Sequence, residues 1–220
     1  MSHDIADEVH EQLADISIHG ERPLLICDAD EVLVQFVTAI EAWLIDHGLK
    51  LDMKTLAITG NVTRIATGEV LSGEEVGQAL NDFFATGMEH QVAVPGAVDA
   101  LGRLSASHEI VILSNVPPHL RAERQRGLKR EGFDFPVIAN HGHKGPAARI
   151  LAEQTGGSVF FIDDLPPNHT SVAEHVPQAR LIHYVADPRL HKMMPTAKEA
   201  HIRAQDWAEI ESYIQAMTEA

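Results

Sequence analysis

The chain has 220 residues, of which 45% are hydrophobic and 22% are charged, the usage of an ordinary globular protein. This composition excludes a disordered or low-complexity chain, and the length fits one domain with a small insert. A formal net charge of −15 argues against nucleic acid as a general partner, because its phosphates attract Lys and Arg.

The single cysteine, Cys27, cannot form an internal disulfide, which favours a reducing, cytoplasmic environment. The first residues are polar and acidic, so no secretory signal is predicted. No apolar run is long enough to cross a bilayer, so a membrane is not an expected partner either. The sequence leaves the oligomeric state open.

Five short apolar runs predict strands. They are bounded by polar residues, as expected for strands buried on both faces of a parallel sheet. The runs lie at 24–27, 110–113, 135–139 (the weakest), 159–162 and 181–185. Helical patterns lie between most of them, and this alternation predicts an α/β fold with a mostly parallel sheet.

One stretch, 36–94, contains no strong strand pattern and is predicted to be a mostly helical insert. Its first part has four apolar residues at helical spacing, which are Phe36, Ile40, Leu44 and Ile45. Further on, Ser72 and Glu75 form a capping-box signal before a helix that is expected to run through Phe84.

The insert divides the chain into a core domain, residues 1–35 and 95–220, and a smaller domain at 36–94. The core is predicted to end in a helix that packs its apolar stripe on the sheet, with Asp206 as a possible N-cap. That stripe consists of Trp207, Ile210, Ile214 and Met217.

Polar side chains follow three of the predicted strands. In parallel α/β sheets, ligands bind beyond the carboxyl ends of the strands, so these side chains are expected to converge on one crevice. They are Asp28 and Asp30 after the first strand, Ser114 and Asn115 after the second, and Asp163 and Asp164 after the fourth.

Four carboxylates in one crevice would repel each other, and a hard divalent cation would relieve the repulsion. Oxygen ligands without Cys or His favour Mg²⁺, which commonly recruits a phosphate oxygen as a further ligand. Ser114 could donate a hydrogen bond to that phosphate, and Lys144 could supply positive charge. A carboxylate can attack phosphorus while a second one transfers protons, so this inventory fits phosphoryl transfer.

The ordered set of motifs resembles the haloacid dehalogenase (HAD) superfamily of phosphohydrolases. The family's Asp-x-Asp after a strand is similar to Asp28-Ala29-Asp30, its Ser or Thr to Ser114, and its Lys before a helix to Lys144. Its acidic pair is similar to Asp163-Asp164, with Asn168 following.

The resemblance implies a Rossmann-like core with a helical cap inserted after the first strand. It also implies a role for each matching residue. Asp28 would be the nucleophile and a metal ligand, and Asp30 the general acid and base, with its backbone carbonyl on the metal. Ser114 would hold the phosphoryl oxygens and Lys144 would stabilise charge. Asp164 would be the more direct metal ligand of the acidic pair, and Asp163 a ligand or a support for one.

Three further residues bear on specificity. An acid at Asp30 is typical of the family's phosphatases and phosphomutases, and it disfavours dehalogenation, which has no leaving group to protonate. Glu31 stands where many relatives have Gly, which leaves substrate preference open. Arg64 could reach from the cap to an anionic group of a substrate.

These observations predict a cytoplasmic, Mg²⁺-dependent phosphatase that acts on a small phosphorylated metabolite through an aspartyl-phosphate. Its substrate-binding residues would be Ser114, Asn115, Lys144 and Arg64. Two alternatives remain open, namely a phosphomutase of the same superfamily and a non-catalytic binding module on the same fold.

Overall fold

The computed structural model describes residues 5–18 and 20–218, and it is built around a six-stranded parallel sheet. The strands of the chain are β1 (Leu24–Cys27), β2 (Leu49–Leu51), β3 (Val62–Arg64), β4 (Glu109–Asn115), β5 (Val137–Asn140), β6 (Val159–Asp163), β7 (Arg180–His183) and β8 (Ile202–Arg203). The helices are α1 (Asp7–Ala14), α2 (Phe36–Asp46), α3 (Gly73–Thr86), α4 (Ala97–Leu104), α5 (Arg121–Arg130), α6 (Gly145–Ala152), α7 (Pro166–His175), α8 (Pro188–Met193) and α9 (Trp207–Thr218). The strand order in the large sheet is β5-β4-β1-β6-β7-β8.

The predicted α/β architecture is confirmed, and each of the five predicted apolar runs contributes a strand. β1 lies in the middle of the sheet, where all four of its residues are buried. Cys27 pairs with Ile112 of β4 on one side and with Ile162 of β6 on the other. This register aligns the carboxyl ends of the three central strands. The two-residue strand β8 at the edge was not predicted, because two residues carry no readable pattern.

Helices cover both faces of the sheet, as parallel strands require. One layer consists of α4, α5 and α9, and the other of α1, α6 and α7. The predicted terminal helix is confirmed as α9. Its predicted N-cap is present too, because Asp206 Oδ1 accepts a hydrogen bond from the Glu209 N–H at 2.9 Å. Its Trp207 is buried and donates through Nε1 to the Val32 carbonyl at 3.0 Å, which fixes the turn after β1.

The segment 36–94 builds a small apolar cluster of its own from α2, α3 and the strands between them. The predicted capping box is present, with Glu75 N–H donating to Ser72 Oγ and Ser72 N–H donating to Glu75 Oε2. Besides its helices, this segment contains an antiparallel hairpin of β2 and β3, which the sequence did not predict. Strands of three residues are too short to show an alternating pattern in sequence.

The helix predicted from Phe36 onward is confirmed as α2, but Ile45 does not share the buried face. It is 57% exposed, whereas Leu44 is buried. Successive residues of a helix are about 100° apart, so Leu44 and Ile45 cannot both point into the cluster. The domain boundaries at residues 35 and 95 remain a prediction.

Among residues 5–18 and 20–218, no helix is both long enough and apolar enough to pass through a bilayer.

Candidate active site

The carboxyl ends of β1 and β6 bring two aspartates side by side. The register continues beyond Cys27 and Ile162, so that Asp28 N–H donates to the Ile162 carbonyl at 2.9 Å and Asp28 lies beside Asp163. Lys144 Nζ lies between their carboxylates, 2.6 Å from Asp28 Oδ1 and 2.7 Å from Asp163 Oδ2. All three side chains are almost completely buried.

Lys144 is placed at the start of α6 by close packing against α7. Gly145, the next residue, donates its backbone N–H to Ser171 Oγ at 3.1 Å. A Cβ at Gly145 would lie 2.3 Å from the Ser171 carbonyl oxygen, so only glycine allows this approach. The contact holds α6 in the position from which Lys144 reaches the two carboxylates.

Asp163 has a full set of partners from the protein. Besides Lys144, its carboxylate accepts hydrogen bonds from Asn168 Nδ2 at 3.0 and 3.1 Å and from the Leu165 N–H at 2.8 Å. Asp163 is therefore oriented as a support for Lys144.

Asp164 has its carboxylate in the same cluster, with oxygens of Asp28, Asp163 and Asp164 within 4.8 Å of one another. Within the described residues, no hydrogen bond or ion pair engages the Asp164 carboxylate. Its backbone carbonyl accepts from His183 Nε2 at 2.9 Å, while His183 Nδ1 accepts from the Ala197 N–H at 3.1 Å. These two contacts require the neutral Nε2–H tautomer of His183, and burial lowers the pKa of this histidine to about 4.

The charges of the cluster do not balance, because one ammonium faces three carboxylates. Burial raises the pKa of Asp28 to about 7 even though Lys144 acts in the opposite direction. Burial and then the neighbouring Asp163 raise the pKa of Asp164. For Lys144, burial would lower the pKa, but the contacts with Asp163 and Asp28 outweigh burial and raise it. Such an excess of buried carboxylate charge suits a divalent cation with oxygen ligands.

Ser114 and Asn115 lie at the end of β4, next to β1. The Ser114 hydroxyl is completely buried and has no hydrogen-bond partner in the described part of the chain. A buried hydroxyl without a partner is costly, so this group is available to a ligand. Asn115 is exposed, and its side chain donates to the Gly142 carbonyl and accepts from Asn140 Nδ2.

Asp30 is held by residues that the sequence analysis did not single out. Arg124 of α5 contacts both of its carboxylate oxygens, at 2.6 and 3.0 Å, and Gln91 Nε2 donates to Oδ1 at 2.7 Å. Arg124 also donates to Gln91 Oε1 at 2.9 Å and lies over the ring of Phe84 in α3. The sequence gives no signal for this role, because α5 contains four arginines and the other three are at least partly exposed.

Glu31 follows Asp30 in a left-handed conformation, with a φ of 59°. Its side chain is buried and accepts from the Val37 N–H at 2.8 Å and from the Asp187 N–H at 2.7 Å. Burial raises the pKa of Glu31 to about 7, although these two N–H groups act in the opposite direction. The carboxylate thus joins the turn after β1 to the first turn of α2 and to the start of α8.

Arg64 lies in β3 and is exposed, and its guanidinium pairs with Glu75 and Glu69. It is not among the residues that line the cavity above the aspartate cluster, whereas Asp28, Asp30, Asp164 and Asn115 are. The structure therefore brings together the predicted site residues of the core. Arg64 is not one of the residues near them, and it forms ion pairs with carboxylates of its own segment instead.

The cavity between the aspartate cluster and the segment 36–94 has a volume of about 240 Å³. Its base is acidic, and its walls come from α2, from the loop between β2 and β3, from α3 and from the residues around α8.

The comparisons with known proteins bear on the fold. No protein-family model matches the sequence, and no significant match was found among the curated proteins. Solved structures do match. A HAD family hydrolase from Deinococcus radiodurans R1, with bound phosphate and sodium, aligns with a TM-score of 0.58 at 18% identity, covering 88% of this chain and 95% of that one.

Two further structures are similar in the same way. A haloacid dehalogenase-like hydrolase from Streptococcus pneumoniae has a TM-score of 0.59 at 16% identity, with 89% of this chain and 99% of that chain covered. A predicted phosphoglycolate phosphatase from Haemophilus somnus 129pt has a TM-score of 0.57 at 14% identity, with coverages of 87% and 97%. The chain therefore has the haloacid dehalogenase-like fold, as its motifs predicted.

Proposed function

We propose that this chain, with its haloacid dehalogenase-like fold, is a Mg²⁺-dependent phosphohydrolase that acts on a small phosphate monoester through an aspartyl-phosphate. The observation that carries the proposal is the placement of Lys144 between Asp28 and Asp163, next to a cavity that Asp28 and Asp164 line. A buried nucleophile next to a fixed ammonium and a partly unpaired carboxylate cluster suits attack on a phosphoryl group.

The donor set fits Mg²⁺. Asp28 and Asp164 would hold the ion most directly, because Asp163 is already engaged by Lys144, Asn168 and the Leu165 N–H. The backbone carbonyl of Asp30 would complete the protein's share of the ligands. The ion would neutralise negative charge on the phosphoryl oxygens and draw them toward the nucleophile.

The residues divide the chemistry between them. The Asp28 carboxylate attacks phosphorus, the bond to the ester oxygen breaks, and the departing oxygen takes a proton from Asp30. For this step Asp30 must carry a proton taken up from water, so its ion pair with Arg124 has to open before the ester bond breaks. Asp30 then removes a proton from water, whose oxygen attacks phosphorus and releases phosphate from Asp28. Lys144 balances charge on Asp28 and on the transferred group, and the buried Ser114 hydroxyl would donate to a phosphoryl oxygen.

Hydrolysis of 4-nitrophenyl phosphate with and without Mg²⁺ tests this proposal. We expect metal-dependent turnover in the wild-type protein and loss of at least a thousandfold in Asp28→Asn, because the nucleophile is removed. Asp52→Asn is the matched control, since Asp52 is an exposed aspartate of the segment 36–94 and should leave the rate unchanged.

Two results would contradict the proposal. Turnover in Asp28→Asn at a rate close to that of the wild type would exclude Asp28 as the nucleophile. Absence of turnover by the wild-type protein with Mg²⁺ would favour the alternative of a binding module. Release of inorganic phosphate in step with nitrophenol distinguishes hydrolysis from transfer to a second substrate.

A further inference from the structure

The cavity above the aspartate cluster has an unusual distribution of polarity. Ten of its fifteen lining residues are apolar, four are acidic and one is Asn115. Asp28, Asp30 and Asp164 lie at the floor of the cavity, where the phosphate would bind, and the Glu31 carboxylate accepts two backbone N–H groups. Among the described residues, no Lys, Arg or His lines the cavity. A ligand that fills this cavity therefore meets polar groups at its phosphate end and apolar side chains elsewhere.

The apolar wall comes from both sides of the cavity. The segment 36–94 contributes Phe36, Met53, Leu56 and Ile58 among others, and the core contributes Leu165 and Met194 among others. Leu56 and Leu165 are 39% and 42% exposed, so solvent reaches apolar surface here. Burying that surface against an apolar ligand is favourable.

We infer that the substrate is the phosphate ester of a small, uncharged, apolar alcohol. The inference rests on the proposed function and names the substrate class of the same site. A carboxylate on the leaving group would lie against the apolar wall, and no Lys, Arg or His among the described lining residues could pair with its charge, which makes its burial costly. Sugar hydroxyls would be buried against side chains that cannot hydrogen-bond to them, which is also costly.

The size of the cavity limits the alcohol. A volume of about 240 Å³ corresponds to about eight atoms of the size of a water molecule. The phosphoryl group takes up about half of this space, so about four non-hydrogen atoms of the leaving group should be enclosed. The rest of a longer leaving group would extend past the exposed side chains of Leu56 and Leu165, and a nucleoside would lie mostly outside the cavity.

Steady-state kinetics with primary phosphate esters test the inference. Ethyl, n-butyl and n-hexyl phosphate form an apolar series, while glycerol 1-phosphate and 3-phosphooxypropanoate carry hydroxyls and a carboxylate. We expect kcat/KM to rise about fourfold for each methylene added, until the cavity is full. Butyl phosphate should exceed glycerol 1-phosphate by at least about tenfold, with the carboxylated ester poorest of all.

A charge introduced into the wall should reverse part of this preference. In Leu56→Lys we expect kcat/KM for 3-phosphooxypropanoate to rise and that for butyl phosphate to fall. The matched control is Ile65→Lys, because Ile65 is another exposed apolar residue of the same segment, 56% exposed, and does not line the cavity. The control should leave the ratio of the two esters unchanged.

The outcomes separate this inference from the proposed function. If glycerol 1-phosphate is hydrolysed as well as butyl phosphate, in a reaction that needs Asp28, the substrate class is wrong and the phosphohydrolase remains. If Leu56→Lys lowers activity on all esters by one factor, the apolar wall only packs the structure, and the inference is again overturned. If no ester, 4-nitrophenyl phosphate included, is hydrolysed, both proposals fail.

Discussion

Replacing Arg124 by Met tests whether Asp30 is held in place from the core. Arg124 is 1% exposed, and its guanidinium forms two hydrogen bonds with Asp30, whose side chain is 21% exposed, and one with Gln91. Removing one partner of a buried ion pair typically costs about 3–5 kcal/mol, because the other charge stays buried without compensation. Water can reach Asp30 in part, so we expect Arg124→Met to lower the free energy of unfolding by about 3 kcal/mol, the lower end of that range.

Urea unfolding at neutral pH measures this loss, and a double-mutant cycle with Asp30→Asn assigns it to the pair. The coupling free energy should be about 1–3 kcal/mol, as expected for residues in direct contact. Arg124→Lys should recover only part of the stability, since an ammonium cannot form the two parallel hydrogen bonds. Arg126→Met is the control, because Arg126 lies on the same helix but its side chain is 70% exposed, and it should change stability by less than about 0.5 kcal/mol. Equal losses in Arg124→Met and Arg126→Met, or strictly additive effects of Arg124→Met and Asp30→Asn, would refute the reasoning.

Three further changes test other parts of the structure. Ser72→Ala removes the cap of α3 and should lower the free energy of unfolding by about 1 kcal/mol in urea titrations, and no loss would mean that the capping box is not formed in solution. Gly145→Ala forces a Cβ against the Ser171 carbonyl, so it should lower the melting temperature and, by displacing Lys144, the rate of phosphate-ester hydrolysis, while Gly102→Ala, at a helical glycine with open space, should not. Burial holds the pKa of His108 below its usual 6.5, so the unfolded chain takes up a proton first as the pH falls, and the native state should lose stability below about pH 6.5. His108→Gln should weaken that pH dependence in urea titrations at pH 7 and pH 5.5, and an unchanged dependence would contradict the assignment.

The parts of the site that sequence predicts best are those fixed by the backbone. Asp28, Ser114 and Asp163 each follow an apolar run. Parallel backbone pairing of adjacent strands aligns the ends of those runs, independently of how the side chains pack. The sequence also predicts Lys144 as a site residue, from its position before a helix. In the structure its ammonium lies between two of the predicted carboxylates, those of Asp28 and Asp163.

The contacts that sequence could not predict join side chains distant in the chain. Arg124 meets Asp30 across 94 positions, and Gln91 meets it across 61. Nothing in the helical pattern of α5 distinguishes Arg124 from its neighbours, because a charged residue on a polar helix is usually solvated. Arg64 is the opposite case, because the sequence suggests a contact with the substrate and the structure shows none with the cavity. Its guanidinium instead pairs with two nearby carboxylates, those of Glu75 and Glu69.

Glu31 shows how a residue other than glycine can occupy a left-handed turn. A left-handed conformation costs a residue other than glycine about 1–2 kcal/mol, so the backbone alone favours glycine at this turn. The buried carboxylate of Glu31 instead accepts two backbone N–H groups, from Val37 and Asp187, and hydrogen bonds to a charged group contribute about 1.5–3 kcal/mol each. Those two bonds exceed the strain, while the cost of burying the charge exceeds the bonds, since burial still raises the pKa of Glu31 to about 7. Because Glu31 joins the turn after Asp30 to the start of α2, its side chain also ties the segment 36–94 to the carboxyl edge of the sheet.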